Sequence, residues 1–109
     1  MSNFTNYTET AIYLSNIAKA YGFRITSGSF ISYDNKTVCP LTASVMNQTD
    51  FDIDKASHNV HNFYGTDWAE LFWHGFDELS HPAFDSEPYI FGAKLRRAFI
   101  DMGILHALP

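Results

Sequence analysis

The sequence contains very little sulfur chemistry. Cys39 is its one cysteine, so no internal disulfide can form and a reducing compartment, the cytoplasm, is expected. Positive charge is also scarce: seven Lys and Arg stand against twelve Asp and Glu, a formal net charge of −5. There is no basic stripe with interleaved aromatics, which argues against direct nucleic-acid binding. Lys94, Arg96 and Arg97 are too few to make a phosphate-binding patch. Apolar runs extend for only a few residues, so no membrane span is expected. The N-terminal stretch MSNFTNYTETAIYL lacks a basic segment followed by an apolar run and does not read as a signal peptide. "GSF" and "GTD" are isolated turns rather than a G-x-G-x-x-G or Walker loop. Sequons at Asn3, Asn6, Asn35 and Asn47 reflect an Asn- and Thr-rich composition rather than glycosylation.

Aromatic residues are abundant instead. Ten Phe, six Tyr and two Trp make up 17% of 109 residues. One small core cannot hide them all, so some should be partly exposed, where rings often serve recognition. The length fits one domain, residues 1–109. Apolar content of 46% with 17% charged residues marks it as globular.

Four segments show helical periodicity closed by glycine. The first covers residues 6–21, with Leu14, Ile17, Ala18 and Tyr21 on one face and Gly22 after it. The second covers residues 52–64, with Ile53, Ala56, Val60, Phe63 and Tyr64 as its stripe, Asp50 or Asp52 as N-cap and Gly65 as its end. The third carries Trp68, Leu71 and Phe72, with Thr66 or Asp67 as cap, Glu70 completing a capping box, and Gly75 as its stop. The fourth covers residues 88–102, with Phe91, Leu95, Ala98, Phe99 and Met102 inward, Ser86 or Glu87 as cap, Pro88 in the first turn and Gly103 beyond. Between the first two, FRITSGSFISYDNKTV reads as short strands at 23–26, 30–33 and 36–38. Phe30 and Ser32 should face one side, Ile31 and Tyr33 the other. Pro40 opens a short helix through Met46. The expected fold is α+β and predominantly helical: four main helices, with a small antiparallel β-hairpin or three-stranded sheet between helices 1 and 2.

Three constellations could carry chemistry. Asp54, His58 and His61 stand at i, i+4 and i+7 on a polar helix flank, a spacing that could hold zinc with water completing the shell. No Glu follows His58 in the metalloprotease order, and a solvated polar face explains the same residues. Cys39 would sit beside a helix N-terminus, which favours thiolate, but no histidine is paired with it by any signature, and a buried small side chain is the simpler reading. In DWAELFWHGFDELSHP, Asp77 and Glu78 are adjacent carboxylates in a loop, flanked by His74 and His81, and Trp73 lies off the apolar stripe.

Charge placement is the strongest signal. Residues 50–87 hold nine carboxylates (Asp50, Asp52, Asp54, Asp67, Glu70, Asp77, Glu78, Asp85 and Glu87) against Lys55 alone, a net −8, while the remainder holds three acids against six bases, a net +3. Helix N-termini account for Asp50, Asp52, Asp67 and Glu87. The rest point to a negative surface that steers toward a positive one. The functional expectation is binding rather than catalysis. The protein reads as a small acidic intracellular interaction protein, of regulator or inhibitor type, that docks on the basic surface of a protein partner. Contacts are expected at Trp73, Asp77, Glu78 and Asp85, with Glu70 and Asp54 adding to the field. No cofactor and no metal is expected. The alternatives are a metal-dependent or thiol enzyme using Asp54, His58 and His61, or Cys39, and a homodimer whose aromatic surface is the subunit interface.

Overall fold

The structure is a computed structural model that describes residues 6–26, 31–32, 34–48 and 51–105. The expected strand residues Phe30 and Tyr33, and the expected cap Asp50, lie outside the described residues. In chain order the elements are α1 (Tyr7–Ala20), β1 (Arg24–Ile25), β2 (Ile31–Ser32), β3 (Thr37–Val38), α2 (Pro40–Val45), a 3-10 turn (Ile53–Lys55), α3 (Ala56–Tyr64), α4 (Thr66–Phe76) and α5 (Glu87–Asp101). The α+β, mostly helical architecture is therefore as expected, with the sheet between the first two long helices.

Local chemistry explains most boundaries. Asn6 caps α1 by accepting from the Glu9 N–H at 3.0 Å. Gly22 turns left-handed at φ 82°, and the Phe23 N–H reaches back to the Ala18 carbonyl at 2.9 Å, closing a Schellman motif whose apolar lock is the buried Phe23. The end of α5 repeats this device, with Ile104 N–H on the Phe99 carbonyl at 3.0 Å. The Asp52 carboxylate caps the 3-10 turn by accepting from Asp54 N–H. Only Gly65 separates α3 from α4, at φ 89° and ψ 143°, a conformation open essentially to glycine.

The sheet order is β1-β3-β2. β2 and β3 pair antiparallel, Ile31 opposite Val38, whereas β1 runs parallel to β3, Ile25 opposite Val38. β3 thus occupies the centre of the sheet, between β1 and β2.

Two expectations about helix ends are corrected. Neither Thr66 nor Asp67 caps α4; Gly65 occupies the cap position with no side-chain bond, and Thr66 is already helical. Gly75 does not stop α4 but lies inside it, buried. A Cβ built there would meet the Tyr89 carbonyl oxygen at 2.0 Å, and one at Gly92 would meet the Phe72 oxygen at 2.3 Å. These two glycines let α4 and α5 touch backbone to backbone. Around them gather Phe72, Phe76, Leu95 and Phe99, all at most 1% exposed, with Val60, Val38 and Leu41 from α3, β3 and α2. Phe63, expected on the inner stripe of α3, is 59% exposed. Tyr64 takes the inner position, and the Phe63 ring lies edge-on against it at 4.8 Å. Tyr21 is likewise exposed, because it falls in the cap beyond α1 rather than in its last turn. Among the described residues no helix is long and apolar enough to cross a membrane.

Candidate functional site

The loop at the end of α4 is built around a charge that the sequence places on an outer helix. Arg96 of α5 is 2% exposed. Its Nη1 donates to the Phe76 carbonyl at 3.1 Å, so a cation caps the negative end of α4 from the neighbouring helix. Its Nε lies 2.9 Å from Glu78 Oε1, a close charge contact without hydrogen-bond alignment. Glu78 adopts φ 59°, the left-handed position after the helix, which turns its carboxylate toward Arg96. Asp77, the C-cap residue, is buried at 8% exposure. The expected surface pair is thereby corrected: Asp77 is withdrawn from solvent, and Glu78, although 60% exposed, is neutralised at close range.

Cys39 does stand at the N-cap of α2, where its Sγ accepts from the Thr42 N–H at 3.4 Å. Burial nevertheless pushes the thiol above its ordinary 9.0, and the negative charge of Asp77 pushes in the same direction. The bonds from Thr42 act oppositely and lose. Desolvation thus outweighs the helix terminus here, and the group is a buried neutral thiol. An activated nucleophile is the opposite case, a thiol held below its ordinary value.

Asp54, His58 and His61 line one groove with Ile31, Ile53 and Ser57, a volume of about 800 Å³. Among the described residues no three His, Cys, Asp or Glu side chains are placed to hold a metal ion. No other carboxylate named for the acidic surface lines this groove.

Glu70 and Asp85 are both exposed. Trp73 is half-buried, its ring beside His74 at 6.1 Å, and His74 in turn meets His81 at 5.0 Å. His74 Nδ1 lies 2.7 Å from the Glu70 carbonyl oxygen, which ties the ring to its own helix. Of the nine carboxylates in residues 50–87, Asp50 is outside the described residues, Asp77 is buried and Glu78 is paired; the other six are exposed.

Sequence reasoning missed a ladder of rings. Tyr64, Trp68, Phe72 and Phe76 recur every fourth residue across the α3–α4 junction. Their planes lie within 14°, 14° and 9° of one another along the series. The four-residue spacing was visible, but treating Gly65 and Gly75 as breaks divided it. The outer end of the ladder is polar: Ser44 donates to the Leu41 carbonyl at 2.6 Å, which leaves the Tyr64 hydroxyl to donate to Ser44. Burial raises the Tyr64 hydroxyl above its ordinary 10.0 and keeps it a donor. On the face of the ladder toward α1 and α5, Trp68 and Phe91 form the shared wall of two adjoining cavities of about 330 and 160 Å³. The chain matches no family model, and neither a curated protein nor a solved structure is detectably similar to it.

Proposed function

We propose that this protein is a small acidic binding protein of the cytoplasm, of regulator or inhibitor type, that docks on a basic surface of a protein partner. The observation that supports the reading best is the set of six exposed carboxylates, Asp52, Asp54, Asp67, Glu70, Asp85 and Glu87, opposed in the same stretch by Lys55 alone. Exposed rings accompany them: Phe84 is 66% and Phe63 59% exposed. Rings beside carboxylates suit a partner whose lysines and arginines are interleaved with apolar groups. Asp77 is dropped from the contact set because it is buried, and Glu78 contributes little because Arg96 offsets its charge. Glu70 and Asp85 carry the proposal.

The test is capture of a partner from the native host at low salt, repeated with the charge-reversed variant Glu70→Lys plus Asp85→Lys. Capture that falls steeply with rising salt and is lost in the variant supports the reading. Capture indifferent to both overturns it.

A further inference from the structure

We propose that the cavity between α1, α4 and α5 binds an organic ammonium ion carrying an apolar substituent, with Glu87 as its counter-charge. The proposal does not rest on the acidic-surface reading, since it concerns one pocket and a small ligand. The cavity measures about 330 Å³ and is lined by Tyr7, Trp68, Glu87, Pro88, Ile90 and Phe91. That volume lies in the range of small-molecule sites, and the lining has their usual character, apolar walls with one charged group. The three rings come from three helices and are set at angles: Tyr7 and Phe91 lie 5.9 Å apart and 44° tilted, Trp68 and Phe91 6.3 Å apart and 60° tilted. None of the three is fully buried, and all three line the cavity.

Charge decides which apolar ligand fits. Glu87 occupies the first turn of α5, whose N-terminus presents about half a positive charge. A full carboxylate charge exceeds that, and Glu87 is the one charged residue among those that line this cavity. Rings add to the preference, because their faces attract cations. The protein supplies its own example: Lys94 Nζ lies 5.9 Å from the centre of the Tyr7 ring, in a second cavity that Tyr7 also lines. The neighbouring cavity of about 160 Å³ has almost wholly apolar walls that reach Phe72, Leu41 and Leu95, and it adjoins the first across Trp68 and Phe91. The apolar substituent of a ligand whose ammonium sits at Glu87 lies against Trp68, Ile90 and Phe91 within the first cavity.

The test titrates the full chain, followed by NMR, with three probes of matched shape: 2-phenylethylammonium, 2-phenylethanol and phenylacetate. The expected order is ammonium tightest, by about tenfold over the alcohol, and phenylacetate weakest, with shifts centred on Tyr7, Trp68 and Phe91. Glu87→Gln should remove most of the ammonium's advantage over the alcohol, leaving the smaller part that the rings supply, without altering alcohol binding. Asp34→Asn, an equal change in net charge at a residue outside this lining, should leave the order intact. Because Glu87 and Asp34 are both exposed, neither variant threatens the fold. Alcohol binding as tight as ammonium, ammonium binding unchanged in Glu87→Gln, equal losses in both variants, or shifts centred elsewhere would each overturn the proposal.

Discussion

Arg96 and Cys39 are the residues whose surroundings most change their chemistry. Arg96 spans two helices, holding the last carbonyl of α4 and the carboxylate of Glu78. Replacing it by alanine leaves a cavity in the core and frees a buried carbonyl, costs that together amount to about 2–4 kcal/mol. Glu78→Gln should cost no more than about 1 kcal/mol, because the carboxylate is 60% exposed and water screens the pair. Urea unfolding of both variants checks the ordering. Cys39 yields a pH prediction. An acid whose folded pKa is raised stabilises the fold below its unfolded pKa, and that contribution is lost as pH rises through the raised value. For Cys39 the loss begins near its ordinary 9.0, and Tyr64 adds a second loss beginning near 10.0. The urea midpoint should therefore decline above pH 9, and Cys39→Ala should flatten the first part of that decline. A thiol reagent at neutral pH should modify Cys39 only when the chain unfolds. Neither role could be read from the chain alone. Periodicity treats an arginine beside Leu95 as a flank residue, and whether a cysteine at a helix start is solvated depends on what packs over it.

At the scale of the element, the α4–α5 pair depends on two positions without side chains. Alanine in place of glycine within a helix ordinarily gains about 1 kcal/mol. At Gly75 and Gly92 the sign should reverse. The atoms a Cβ would strike at each include backbone atoms of the facing helix, at 2.0 and 2.3 Å for the nearest, which cannot rotate aside. Gly75→Ala and Gly92→Ala should each cost about 3 kcal/mol or more, measured as a fall in urea midpoint with loss of near-ultraviolet signal from packed rings. Gly75 also shows where sequence reasoning divides. Gly22, Gly65 and Gly103 were legible as helix ends because a positive φ is a local demand. Close approach between helices is a demand of the partner helix, and the two kinds of glycine look alike in a linear chain. The helices themselves were legible because each keeps a stripe of apolar residues at helical spacing. β1 pairing parallel to β3 was not, since strands of two residues carry no periodicity that specifies direction.

At the scale of the whole molecule, the uneven charge is the feature that the sequence showed best and the fold partly dismantles. Burial removes Asp77 and Arg96 offsets Glu78, two acids whose fates are decided by the end of one helix. Six exposed carboxylates remain in that stretch against Lys55 alone, and the chain as a whole carries a net −5 that opposes the compact state. Raising ionic strength from about 0.01 M to about 0.15 M, which shortens screening from roughly 30 Å to 8 Å, should raise the thermal midpoint of unfolding by a few degrees. Glu70→Lys plus Asp85→Lys should reduce that response, as scanning calorimetry would show. The ring-lined cavity was not legible, because its walls come from α1, α4 and α5, and only folding brings residue 7 beside residues 68 and 91. The joint at Gly65 has a consequence for proteolysis. A protease needs several residues of extended chain in its cleft, and a single exposed glycine between two helices cannot supply them without unravelling both. Limited digestion should therefore spare that corner and nick the longer connection after Phe76, releasing α5 as the first discrete fragment.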